Sequence, residues 1–530
     1  MIGRRFLLQA APAALGAAAV GGASRPVGGI VPPATGADQT AVHTTSGAVR
    51  GVLDDGVRAF LGIPYGNVPG RFQAPRPAAA WSGTRDASHF GPVATQMLAA
   101  TNPPVASSEQ CLSVNVWSPV APAVAQAPLL PVLVWIHGGA NVSGASSQPI
   151  YDGRHFARSG VVCVTFNYRL GVFGFLELGD LMGGRYRHSG NNALRDQILL
   201  LHWVQENIAA FGGDPKRITI AGESAGAKDV AALLAVPSAQ GLFHRAILES
   251  GGGRTVLSMA AAHEMSRRYL DLLGLPADRA DRLLDLDTDT LVSAQRALML
   301  QAPLGYPLRP LVDGVLMPQM PEVAVALGHA AGVPLLLGTN RDESRLFLGK
   351  DAASRPIAGH SLSNMGPDGF ERMLMRYDAS MRGPDLAQIR WRALTAEEYW
   401  IPSVRVAEAQ SSAGGMVWMY RFDKSARSGP FEGRAAHVSE LPYIWNNPDD
   451  PQLAQLTAGF DPKLAHRMHA AWLAFIKGGS PDAPGLPTWP RYDAQSRATM
   501  IFDNVSRVEN DPDRTERQLW SSLFLADAVH

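Results

Sequence analysis

Residues Arg217–Gly226, read RITIA-GESAG, and the run that follows, Ala227–Leu234 (AKDVAALL), decide the fold. RITIA is a short, largely apolar strand pattern, and AKDVAALL is helix-like. Between them, Gly222-Glu223-Ser224-Ala225-Gly226 matches G-x-S-x-G at a strand-to-helix junction. Such a junction is so tight that its central residue takes a strained backbone conformation. Glycines two residues to either side remove the side chains that would collide there. The spacing therefore presents Ser224 at the carboxyl end of a sheet. The amides that open the next helix, Ala225 first, favour a developing negative charge. In a chain with 53 glycines the string alone occurs by chance, so its strand–turn–helix setting carries the inference.

The same alternation extends outward. Pro131–Ile136 (PVLVWI), Val161–Phe166, Ala246–Leu248, Val333–Leu337 (VPLLL) and Met416–Phe422 (MVWMYRF) are further strand candidates. Leu194–Ala210 reads as a helix, with Leu194, Ile198, Leu201 and Val204 at helical spacing and Phe211-Gly212-Gly213-Asp214-Pro215 as its stop. Strand–helix–strand order predicts an α/β fold with a large, mostly parallel sheet flanked by helices. Residues about 255–330 and 350–410 are richer in helical pattern and read as cap insertions. No linker divides the chain, so residues 39–530 are expected to form one catalytic domain.

A serine hydroxyl needs a general base, oriented by a third group, to act as a nucleophile at neutral pH. In chains with this turn the order is serine, acid, histidine. Eight histidines follow Ser224. His244, His263, His329, His466 and His469 lie in helical or strand-edge contexts. His360 is in a polar loop and His530 is terminal. His437 sits in the loop after MVWMYRF, where a base should project. For the acid, Glu343 and Asp342 both follow VPLLL through Gly338-Thr339-Asn340-Arg341, and pattern alone leaves the two unresolved. His137-Gly138-Gly139-Ala140 follows PVLVWI and is similar to an HGGG-type loop, whose amides with that of Ala225 could bind an oxyanion.

Bulk properties narrow the partners. The 530 residues carry 47 Lys+Arg and 47 Asp+Glu. That balance gives no electrostatic footprint for nucleic acid or an anionic membrane. No Cys/His cluster has metal-ligand spacing and no G-x-G-x-x-G follows a strand, so no metal or nucleotide cofactor is expected. The only cysteines are Cys111 and Cys163. Cys163 lies inside an apolar strand pattern and reads as a buried free thiol. Arg4 and Arg5 precede the apolar stretch Phe6–Val20, and Gly21-Gly22-Ala23 supplies small residues for cleavage. Residues 1–23 therefore read as an export signal, resembling the twin-arginine type, with 24–38 as a flexible leader. This places the mature protein in the periplasm or outside the cell. The apolar stretch is too short to span a bilayer comfortably, so no stable membrane insertion is expected.

With these residues in hand, the chain resembles the carboxylesterase type B family, which includes cholinesterases and bacterial para-nitrobenzyl esterases. The likeness runs from about Thr45 to Trp520. It rests on Phe60–Tyr65, Asn167–Gly171, Phe211–Pro215 leading into Gly222–Gly226, Gly338–Glu343, His437 with Glu440-Leu441-Pro442, and Leu486–Pro490. It implies an α/β-hydrolase fold and cleavage of small-molecule carboxylic esters. It also implies Ser224 as nucleophile, Glu343 rather than Asp342 as acid, His437 as base, and an oxyanion hole of Gly139, Ala140 and Ala225. Glu109 and Arg169 resemble a structural pair. The family usually has a third glycine where this chain has Ala140, and a serine where it has Asp229. An acidic Asp229 could face Glu343 and share a proton with it, or turn away. Glu223, beside the nucleophile, could add negative charge near His437. Amide or carbamate hydrolysis on the same triad, or a non-catalytic binding protein of the same fold, are the alternatives these motifs leave open. Asn141-Val142-Ser143 matches a glycosylation acceptor by chance, since a glycan there would block the site.

Overall fold

The computed structural model describes residues 39–97, 105–120, 128–301, 306–347, 373–377 and 386–527. The stretches read as export signal and leader, and His360 and His530, lie outside them.

An 11-stranded sheet organises the described chain. In chain order its strands are β1 (Val52–Asp54), β2 (Val57–Pro64), β3 (Ser113–Pro119), β4 (Leu130–Ile136), β5 (Val162–Phe166), β6 (Gly213–Glu223), β7 (Arg245–Glu249), β8 (Leu335–Asn340), β9 (Val417–Phe422), β10 (Ala498–Phe502) and β11 (Arg507–Asn510). Their spatial order is β11-β10-β9-β8-β7-β6-β4-β5-β3-β2-β1. From β5 through β4 and on to β10 neighbouring strands are parallel. The margins, β1 to β3 and β11, are antiparallel. Each strand expected from the sequence is present, with ends shifted by one to a few residues.

The period-2 alternation of strand side chains builds two cores, one per face. In β4, Val132, Val134 and Ile136 join the larger core while Leu133 and Trp135 join the other. In β9, Val417 and Met419 go one way and Trp418, Tyr420 and Phe422 the other. Helix α1 (Asn192–Asn207) lines the first face with Leu194, Leu201 and Val204. Helix α2 (Ala225–Leu234) is buried along its whole length, which is why its sequence is nearly all small or apolar. On the opposite face, helix α3 (Pro462–Gly478) packs Trp472, Phe475 and Ile476. Asp461 caps it, accepting from the amides of Lys463 and Leu464. Within the stretches expected to be cap insertions lie helices Met259–Leu272, Thr288–Gln301 and Leu386–Thr395, the last continued by a π-helical turn, Ala396–Trp400.

One expected pairing is corrected. Arg169 forms a buried two-pronged ion pair with Asp196 of α1, at 2.7 and 2.8 Å, not with Glu109. Glu109 instead binds Arg71, at 2.6 Å. Asp196 lies within hydrogen-bond reach because it is on the α1 face turned to the Asn167–Gly171 loop. Cys111 and Cys163 are both buried and free.

Candidate active site

Ser224 sits at φ 57° and ψ −120° between β6 and α2. A side chain at Gly222 would run into the backbone of Gly226, and one at Gly226 into the carbonyls of Ile136 and His137. Both glycines of the motif are thus steric necessities. The strained turn is held by a 2.9 Å hydrogen bond from the Ser224 amide to the Glu249 carbonyl at the end of β7.

The loop after β4 lies against this turn. A Cβ at Gly138 would be 3.1 Å from the Ser224 Cβ and 2.8 Å from Glu223 Oε2. Gly139, Ala140 and Asn141 follow with φ of 112°, 56° and 61°. This left-handed coil sends the amides of Val142 and Ser143 back to the Gly139 carbonyl, at 3.1 and 3.0 Å. Among the described residues the amides of Gly139 and Ala140 have no protein acceptor. The Ala225 amide opens α2, where no intrahelical acceptor exists. Asn141 is buried and donates to the Leu308 carbonyl.

The acid and base loops come from β8 and β9, paired side by side in parallel. Glu343 begins a short helical turn just after β8 and is buried. Its Oε1 accepts from the Asn340 amide at 2.7 Å, and its Oε2 is 2.6 Å from His437 Nδ1. The competing Asp342 turns outward to Arg341, Arg434 and the Ala435 amide. Geometry therefore separates the two acids that sequence pattern left open. Of the other histidines, His469 is buried on α3 beside the Ile444 carbonyl, 2.7 Å away, and His263 binds Asp180.

His437 Nε2 lies 3.1 Å from Glu223 Oε1. Among the described residues no hydrogen bond joins it to Ser224 Oγ. Aromatic rings flank the imidazole, Tyr399 at 4.8 Å and Phe347 at 5.3 Å between centroids.

Three more carboxyls surround this pair. Glu223, Glu249 and Glu440 are all buried. Burial, with the charges of Glu440, Glu343 and Glu249, pushes Glu223 well above the ordinary carboxylate range. Burial and then Glu440 do the same to Glu249, which accepts from Trp472 Nε1 at 2.7 Å. Burial and Glu343 raise Glu440 to about 8; it binds Asn340 Nδ2 and accepts from Ser250. Close carboxyls in a dry site cannot all ionise, so this cluster holds protons at neutral pH. Sequence reasoning found Glu223 but not Glu249 or Glu440 as part of the cluster. The signal for both was present, one residue ending β7 and one three positions after His437.

Asp229 does not meet Glu343. Its carboxyl takes a 2.5 Å hydrogen bond from Gln197 of α1. Burial raises it to about 7, opposed by the Gln197 bond and the charge of Lys228. Five residues past Ser224, it lies on the face of α2 turned to α1.

Residues 38–520 match the carboxylesterase family. The chain belongs to that family. This carboxylesterase is 38% identical to the para-nitrobenzyl esterase of Bacillus subtilis, over 90% of its own length and 97% of that protein. It is 32% identical to the fumonisin B1 esterase of Sphingopyxis macrogoltabida, over 88% and 87% of the two chains. A solved para-nitrobenzyl esterase superposes with a TM-score of 0.79 at 37% identity, covering 91% of this carboxylesterase and 99% of that chain. A Geobacillus stearothermophilus carboxylesterase superposes with a TM-score of 0.80 at 39% identity, covering 91% and 100%. The fold is that of an α/β-hydrolase, and the protein is a carboxylic ester hydrolase.

Proposed function

We propose that this carboxylesterase cleaves small esters by a two-step acyl transfer on Ser224, with His437 as base and Glu343 as its orienting acid. The observation that carries the reading is the buried 2.6 Å contact between Glu343 Oε2 and His437 Nδ1 beside a serine in the strained turn. Glu343 fixes the tautomer by accepting from Nδ1, which leaves Nε2 as the proton acceptor. For attack, Nε2 receives the Ser224 Oγ proton. Oγ then bonds to the ester carbon as the carbonyl electrons move onto oxygen. The amides of Gly139, Ala140 and Ala225 stabilise that oxyanion, each donor worth roughly 3–4 kcal/mol where such donors are removed. Collapse expels the alcohol, protonated by His437, and water repeats the sequence to release the acid. Glu223 borders His437 Nε2, and Asp229 supports the site without touching the reacting atoms.

The likeness to para-nitrobenzyl esterases favours esters of aryl-substituted small alcohols as substrates. Ser224→Ala, His437→Ala and Glu343→Ala are expected to fold and to lose activity by orders of magnitude, with double variants little worse than the worst single. Turnover close to wild type in His437→Ala would remove His437 from the role.

The protein is also read as exported to the periplasm or medium with residues 1–23 removed, from Arg4, Arg5, the apolar Phe6–Val20 and the small residues at 21–23. Mass spectrometry of the protein from its host should give an N-terminus near Ser24. Soluble cytoplasmic protein retaining Met1 would refute it.

A further inference from the structure

Lys228 lies one helical turn beyond Ser224, and its amide donates to the Ser224 carbonyl at 3.1 Å. The side chain is buried. Its ammonium group contacts Glu398 Oε1 and lies 5.3 Å from the centre of the Tyr306 ring and 5.0 Å from that of Tyr399. Glu398 and Tyr399 come from the π-helical turn Ala396–Trp400, all five residues of which are buried. A π turn inserts one extra residue into a helix, and such turns concentrate at functional sites. The other side of the chain of contacts is catalytic, because the Tyr399 ring packs 4.8 Å from the His437 imidazole. Lys228 and His437 thus both lie against the Tyr399 ring.

Stability is a poor reason for such a pair. Taking two charges out of water costs about as much as their attraction returns, and a well-packed apolar pair is commonly as stable or more so. The place of the pair, between the nucleophile helix and the ring that flanks the base, supplies a different reason. We propose that Lys228 and Glu398 are a positioning pair for His437, which they serve by clamping Tyr399 against the imidazole while adding almost no net charge beside it.

This rests on the reading of His437 as general base. Other titratable groups bear on the pair and on the imidazole. Glu398 acts on Arg309 and Tyr306, and Arg309 also feels Glu397. Lys228 acts on Glu223 and Asp229. Glu343 and Glu223 face the two imidazole nitrogens, with Glu440 and Glu249 behind them. The pair is balanced within this set, and halving it leaves a single charge near the base.

The pH profile of kcat/KM on a nitrophenyl ester tests the proposal, because its acidic limb reports the free enzyme's base. Glu398→Gln leaves the ammonium unbalanced, which disfavours the imidazolium and moves the acidic limb to lower pH by about 0.5–1 unit. Lys228→Met leaves the carboxylate, which favours the imidazolium and moves the limb to higher pH. In Lys228→Met/Glu398→Leu the limb returns to its wild-type position. If Lys228→Met does not fold, Glu398→Gln and the double variant still carry the direction and the return. Superimposed limbs, or losses of activity with no limb shift, would overturn the proposal. His437→Ala in the same assay separates the two levels. Retained turnover there sinks the base assignment itself, whereas an inactive His437→Ala with superimposed limbs sinks only the role of the pair.

Discussion

In the resting site, His437 Nε2 lies 3.1 Å from Glu223 Oε1 with no hydrogen bond between them, so the residue that precedes Ser224 borders the imidazole nitrogen that does not face Glu343. Burial and neighbouring carboxyls keep Glu223 protonated well above the usual range. A protonated glutamic acid and a glutamine have nearly the same shape and charge. Glu223→Gln, which keeps that neutral shape, is therefore expected to keep kcat/KM within about threefold of wild type. A pH–rate comparison checks this. A tenfold loss at pH 7 would mean that the negative charge itself is required.

The carboxyl cluster sets a sign for stability against pH. The folded protein keeps protons on Glu440 up to about pH 8, while the unfolded chain releases them near the ordinary carboxylate value of 4.5. Between these values the folded state holds more protons, so stability is highest at the acidic end and falls as pH rises toward 8. Glu440→Gln removes this contribution, on the order of a few kcal/mol for a shift of that size. Calorimetry should show a smaller drop in Tm between pH 5 and pH 8 in the variant than in wild type. Parallel curves would contradict the assignment.

Asp229 gives the opposite expectation for catalysis. Its partner is Gln197, not the triad acid. Asp229→Asn should leave the acidic limb of the kcat/KM profile in place, and should lose the part of the stability decline that Asp229 contributes between its ordinary value of 3.8 and about pH 7. A moved limb would show a path from Asp229 to His437 that the contacts do not contain.

Much of this was legible in the sequence, for a local reason. The G-x-S-x-G turn, the strands and the loop Gly138–Ala140 are set by backbone sterics and period-2 burial, which short stretches of sequence record. The choice between Glu343 and Asp342 was not legible by pattern, because it depends on which carboxyl turns inward once Asp342 is taken by Arg341 and Arg434. The family likeness pairs Arg169 with Glu109, although its partner Asp196 sits on α1, 27 residues away. Lys228 is one polar position in the helical run AKDVAALL. Its burial depends on Glu398, 170 residues further on, and no local pattern encodes a pair so distant.

Ala140 holds a left-handed φ of 56° without being glycine. An L-residue there costs roughly 1–2 kcal/mol, part of which the greater freedom of glycine in the unfolded chain takes back. Ala140→Gly is expected to stabilise the protein by up to about 1 kcal/mol, seen as a higher denaturant midpoint. Removing the methyl also widens the space beside the oxyanion amides, so kcat/KM should rise more for esters of bulky alcohols than for simple ones. Equal changes for both ester classes would show that the methyl does not border the alcohol.

The central claim is that Ser224 carries the acyl group during turnover. Labelling with a fluorophosphonate, followed by peptide mass spectrometry, tests it most directly, since the reagent forms a stable bond only with a serine whose proton is removed and whose oxyanion is held. The account predicts one equivalent of adduct on the peptide containing Gly222–Gly226, located to Ser224, and no adduct in His437→Ala. Full ester hydrolysis in protein with Ser224 unlabelled, or an adduct on another residue that abolishes activity, would contradict it.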